Sequence, residues 1–238
     1  RKFTESGGGF DPNGAFAGGA NNMAIAAGII HADDFDNAFW TKTDCAVAAN
    51  VTNPPPYGAA GTADRLTDGG AGGPGIAYHS YVTADLQDKK TYCFSCHLKA
   101  DTATIAAIEI NQSGGLFTLA TLTYASGAID VTSLGGGKHF ADVEVVSGGW
   151  FRVYVTIEYD VAVNGGTMNV VVAPDMSATG LASFVWGAQP ERGSVPTTYR
   201  PGDAADWADV FLAAGRVRPR LAADKFGRVF LAGEQRDQ

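Results

Sequence analysis

The stretch Trp150-Phe151-Arg152-Val153-Tyr154-Val155-Thr156-Ile157-Glu158-Tyr159 decides the fold class. From Phe151 onward every second residue is apolar, and Arg152, Thr156 and Glu158 fall between. A strand sends successive side chains to opposite faces, so Phe151, Val153, Val155, Ile157 and Tyr159 would point into a core. Trp150, Arg152, Tyr154, Thr156 and Glu158 would share the outward face. Gly148-Gly149, just ahead, supplies a tight turn into the strand.

Working outward, the same period recurs. Ala46–Val51, Ala77–Val82, Lys90–Lys99, Ala103–Asn111 and Leu116–Tyr124 read as strands, as do Lys138–Val146, Thr167–Ala173 and Ala182–Gln189. Asp101-Thr102, Ser113-Gly114-Gly115, Gly135-Gly136-Gly137, Ser147-Gly148-Gly149 and Asn164-Gly165-Gly166 separate them with turn chemistry. No long stretch of helical period competes. The expected fold is all-β: an antiparallel jelly-roll β-sandwich over residues 33–201. Asn53-Pro54-Pro55-Pro56 forces an extended loop, Gly58–Arg65 reads as small and polar, and Asp68–Gly75 reads as a Gly-rich loop.

The flanks differ from this body. Residues 1–32 form an extended N-terminal arm, rich in Gly, Ala and Asn, with Phe10, Phe16, Met23, Ile25 and Ile29 scattered through it. Such a segment cannot build its own core; it is either mobile or laid over a partner surface. Residues 202–238 form a short strand-rich tail. It holds an internal echo, Val210–Gly215 and Val229–Glu234, whose two copies could pair as strands across the basic run Arg216–Arg220.

Composition narrows the function classes. The 238 residues carry a net charge of −8, with 45% hydrophobic and 18% charged residues. The chain can therefore bury a core. Residues 191–238 hold 8 basic and 7 acidic side chains, which leaves the rest strongly acidic and a poor nucleic-acid binder. No apolar run reaches the ~18 residues of a membrane span. Cys93 and Cys96 form a CxxC, yet Tyr92, Phe94, Cys96 and Leu98 would share one strand face and Cys93 the other. The two thiols should therefore be unbridged, and no second CxxC completes a zinc site. His31, His79, His97 and His139 are scattered, and no GxSxG, Walker loop or HExxH is present. The chain reads as non-enzymatic.

Five short motifs now fall in a recognisable order. They are Asp34–Lys42, Thr62–Thr67, Tyr92–Ala100, Gly148–Val153 and Val185–Ser194, the last running on to Thr198-Tyr199-Arg200-Pro201. Together they resemble the lectin-like, carbohydrate-binding-module-type sandwich of tailed-phage fibre and head-spike proteins. Cys93 and Cys96 depart from that pattern. The resemblance implies a virion structural protein on the phage particle surface: a fibre, spike or decoration subunit that recognises host-surface glycans. Its partners would be capsid, portal or tail proteins and sister copies in a homo-oligomer. The alternative is the carbohydrate-binding module of a secreted bacterial enzyme or adhesin.

On that reading the glycan-binding candidates are Trp150, Arg152, Tyr154, Trp186 and Tyr57, because aromatic faces stack on sugar rings and Arg donates to hydroxyls. A competing view packs Trp150 at the sheet edge or under a loop. No cofactor is expected beyond a structural calcium ion, for which Asp33, Asp34 and Asp36 are the candidate ligands.

Overall fold

A computed structural model describes residues 33–51, 55–56, 62–70, 73–81, 89–112, 115–135, 139–160, 167–196 and 199, and the backbone of 219–223 and 229–233. Two antiparallel six-stranded sheets pack face to face as a β-sandwich of jelly-roll type. The first sheet contains β1 (Thr41–Thr43), β4 (Ile76–Tyr81), β11 (Met168–Ala173), β6 (Ile105–Gln112), β7 (Leu116–Thr123) and β8 (Ala128–Leu134), in that spatial order. The second contains β2 (Cys45–Val51), β3 (Ala63–Asp68), β12 (Ala182–Arg192), β5 (Thr91–Ala100), β10 (Trp150–Glu158) and β9 (His139–Val146). Ser147–Gly149, with positive φ at both glycines, turns β9 into β10.

The core between the sheets follows the predicted alternation. Tyr92, Phe94, Cys96 and Leu98 of β5 meet Val153, Val155 and Ile157 of β10 on the inner face. Ile108, Ile110, Leu122, Met168 and Val170 face them from the other sheet. Phe35 and Trp40 stack at 4.5 Å and enter this core, so the segment ahead of β1 is pinned to the sandwich. Cys93 and Cys96 are both buried and free, on opposite faces of β5.

The strand readings shift in a few places. β1, β3 and β8 are strands that the sequence pattern does not announce. β3 overlaps the small, polar Gly58–Arg65 and the start of the Gly-rich Asp68–Gly75, and two of its buried positions are Asp64 and Asp68. Their carboxylates take backbone N–H groups: Asp64 from Phe35 and Asn50, Asp68 from Gly70 and Gly75. That removes the penalty for burying them. β8 is exposed except for Ile129, which packs against the core, so its apolar alternation is too short to announce a strand.

In the tail, Val229–Gly233 (β14) pairs with Pro219–Ala223 (β13); the other copy of the echo, Val210–Gly215, lies outside the described residues. Part of the basic run is thus strand, with Pro219 at its first position, where the missing N–H is tolerated. The N-terminal arm, 1–32, also lies outside the described residues.

Candidate functional site

The outer face of the second sheet carries the glycan candidates read from the sequence. Cross-strand register sets Arg152 between His97 and Glu144, and Tyr154 between Ser95 and Asp142. Residues directly opposite share a face, so this is one continuous surface. Most of it is closed. Trp150 is 1% exposed, Trp186 3% and Arg152 5%, while Ser95 and His97 are fully buried.

A second apolar cluster covers it, made of Ala63, Val146, Trp150, Trp186 and Tyr199, with Phe184 against them. Tyr199 packs on Trp186 at 4.3 Å and on His97 at 5.3 Å. Trp150 and Trp186 are therefore packing residues, and no sugar ring can reach their faces. Arg152 donates from Nη2 to Ser95 Oγ at 3.1 Å, below the surface. Burial, helped by the Arg152 charge, pushes His97 down to about 3, so it is neutral.

Among the described members of the predicted set, only Tyr154 stays partly open. Its ring lies 5.9 Å from Phe140, which is 48% exposed, and the exposed Asp142 and Glu144 flank the pair. Tyr57 lies outside the described residues.

The expected acidic triplet is rearranged. Asp33 leaves it: its Oδ1 accepts from the Gly187 N–H at 3.0 Å and from the Tyr199 hydroxyl. This bond joins the two ends of the sandwich at a bulge in β12, where Gly187 adopts φ 64°. Burial raises the Asp33 carboxyl above its ordinary range, and the two hydrogen bonds pull it back. Asp64 takes the place of Asp33. Carboxylate oxygens of Asp34, Asp36 and Asp64 lie within 4.8 Å of one another. A shared hydrogen bond with Asp34 raises the Asp36 carboxyl, and burial raises that of Asp64. Three such oxygens match the hard-donor chemistry of calcium, although Asp64 already serves two backbone N–H groups.

The outer face of the first sheet was not singled out from the sequence. Register aligns Tyr78, Val171, Glu109, Leu119 and Thr132 in one row across five strands. The next row is Ser80, Asn169, Asn111, Phe117 and Leu134. The second row is a directed hydrogen-bond chain over its first three strands. Ser80 Oγ donates to Asn169 Oδ1 at 2.7 Å, and Asn169 Nδ2 donates to Asn111 Oδ1 at 2.8 Å. Asn111 Nδ2 then donates to Glu109 Oε1 in the first row, at 2.5 Å.

Tyr78, Phe117, Glu109, Asn111 and Asn169 are all half-buried, and Ser80 is exposed. Burial raises the Glu109 carboxyl above its ordinary range, with the Asn111 amide working against the shift. The result is a rigid set of amide and carboxylate groups between two aromatic rings. Each amide keeps donor or acceptor capacity for a ligand. The signal in the sequence is polar residues at alternate positions of three apolar strands, at 80, 109, 111 and 169.

Comparison by sequence finds no matching family model and no matching curated protein. Comparison by structure finds partial likeness to several solved structures. One is the CBM22-1 xylan-binding domain of Paenibacillus barcinonensis Xyn10C, at TM-score 0.39 and 12% identity, covering 68% of this chain and 92% of that one. Another is the Clostridium thermocellum Xyn10B CBM22-1–GH10 structure with xylohexaose, at TM-score 0.40 and 12% identity. That match covers 72% of this chain but only 28% of the xylanase chain. A third is the enzymatically active domain of bacteriophage CBA120 tailspike protein 4, at TM-score 0.34 and 12% identity, covering 68% of this chain and 20% of that one.

Proposed function

We propose that this chain is a non-catalytic carbohydrate-binding sandwich whose ligand face is the outer face of the first sheet. The observation that carries the reading is the hydrogen-bond chain Ser80–Asn169–Asn111–Glu109, which spans three strands and is bordered by Tyr78 and Phe117. Sugar recognition needs two things: an apolar ring face, and polar groups fixed in place before the ligand arrives. This face offers both. The acidic body favours neutral over anionic glycans.

The test is affinity electrophoresis of the full chain in gels containing neutral soluble polysaccharides. Retardation should occur and should weaken about 3- to 10-fold in Tyr78→Ala. Asn111→Ala should weaken it as well, while Tyr154→Ala keeps it. The reverse pattern moves the site to the Phe140–Tyr154 margin. No retardation by any polysaccharide removes the sugar reading.

The motif order over 33–201 supports a finer reading: a phage fibre, spike or decoration subunit. Arm and tail would attach it to capsid, portal or tail proteins, and the exposed sandwich would meet host glycans. Detection of the chain in purified particles, with capsid or tail genes adjacent, supports that placement. Polysaccharide-degrading neighbours would instead make it the binding module of a secreted enzyme or adhesin. A structural calcium ion at Asp34, Asp36 and Asp64 is part of the same proposal.

A further inference from the structure

Four strands end the two sheets: β1 and β8 in the first, β2 and β9 in the second. Unpaired edge backbone is a template for another strand, and proteins blunt it with short strands, bulges, Pro or charge. Three of the four edges are blunted. β1 is 3 residues long. β2 loses its ladder between Ala48 and Val51, where Asn50 has φ 54°. β9 exposes Asp142 and Glu144, which would meet each other across a two-fold axis at Val143.

β8 is the least blunted, with a single charge, Asp130. Its 7 residues, Ala128-Ile129-Asp130-Val131-Thr132-Ser133-Leu134, contain no Pro and no Lys, and they pair with β7 without irregularity. Every residue is exposed except the half-buried Ile129. Val131 is 48% exposed and Leu134 57%. Among the described strands, β7 is its single hydrogen-bonded neighbour.

We infer that β8 is a self-association edge: two copies pair their β8 strands antiparallel about a two-fold axis at Val131. The occupant follows from self-complementarity. Centring on Val131 overlaps the whole strand and sets Val131 against the partner's Val131. Asp130, the only charge in the strand, then faces the partner's Thr132, Ile129 faces Ser133 and Ala128 faces Leu134. No like charges meet, and the exposed Val131 and Leu134 are covered. The first sheets of the two copies become one continuous sheet. This inference does not depend on the sugar reading.

The test is sedimentation velocity of the full chain over a concentration series. A monomer–dimer equilibrium is expected. Thr132→Asp sets a carboxylate opposite the partner's Asp130 twice per dimer and should weaken association about tenfold. Adding Asp130→Lys to that variant should restore it. Val131→Cys should give, on mild oxidation, a disulfide between copies that mass spectrometry maps to residue 131 in both. Circular dichroism checks that the monomer fold survives these changes at exposed positions. A chain that stays monomeric at every concentration overturns the inference. So does a dimer that Thr132→Asp leaves unchanged, which would place the contact in the arm, the tail or β9. Failure of Asp130→Lys to rescue overturns the register.

Discussion

Replacing Gly187 by Ala should be among the most damaging single-methyl changes in the sandwich. Gly187 sits at the β12 bulge with φ 64°, a left-handed conformation that costs an ordinary residue about 1–2 kcal/mol. A Cβ there would lie 2.8 Å from the Tyr199 ring and 2.9 Å from His97 Nδ1. Both rings are buried and hemmed in by Trp186, so neither can swing away. Overpacking of this kind costs about 1–3 kcal/mol. The N–H that donates to Asp33 is kept, so the hydrogen bond is not what is tested.

Gly180 is the control. It too has positive φ, 87°, but an added Cβ meets nothing within 4 Å. Gly180→Ala should therefore cost about 1–2 kcal/mol and Gly187→Ala about 2–5 kcal/mol. Thermal unfolding followed by circular dichroism reads the difference, at about 2–4 °C per kcal/mol for a domain of this size. Equal midpoints for the two variants would refute the claim that Tyr199 and His97 are packed hard onto the bulge.

Other outcomes follow from the same geometry. Asp33 has a raised carboxyl, so its favourable contribution to stability is full below its ordinary value of 3.8 and is lost as pH rises through the folded value. Relative to Asp33→Asn, the native chain should lose stability across that window, and chemical denaturation at stepped pH measures it. Millimolar calcium should raise the thermal midpoint of the native chain but not of Asp36→Asn; equal midpoints in calcium and in chelator remove the metal reading. Burial pushes the Cys96 thiol up to about 12 and that of Cys93 higher still, so neither should react with a thiol reagent until the chain unfolds. Non-reducing digestion should show no Cys93–Cys96 bridge.

The inner half of the fold was legible because burial imposes a period. Val153, Val155 and Ile157 alternate with polar residues, as do Tyr92, Phe94 and Cys96 with Ser95 and His97, and all face where the pattern puts them. The outer half was not legible. Trp150 and Arg152 alternate correctly onto the outer face, but alternation says nothing of what lies above them. The covering residue, Tyr199, is 47 positions beyond Arg152 and is held by Asp33, at the other end of the domain. β3 was obscured because Asp64 and Asp68 occupy buried positions that only tertiary hydrogen bonds make tolerable. The row Ser80–Asn169–Asn111 was hidden for a topological reason. β4, β11 and β6 are neighbours in space but not in sequence, so nothing local aligns those side chains.

The two outer faces differ for one physical reason. A sheet face that the chain itself covers is a third layer of packing, and its polar residues become buried partners, as Arg152 and Ser95 have. The ends of the sandwich meet over the second sheet, where Asp33 binds Gly187 and Tyr199 fills the space above His97. That closes the face whose sequence promised most. On the first sheet Tyr78, Glu109, Asn111 and Asn169 stay half-buried and Ser80 exposed, so the polar row keeps contact with solvent. Its hydrogen bonds run sideways along the surface rather than down into the core. Under the proposed function those groups are held ready for a ligand, and the Tyr78→Ala and Tyr154→Ala variants, one on each face, decide between the two surfaces.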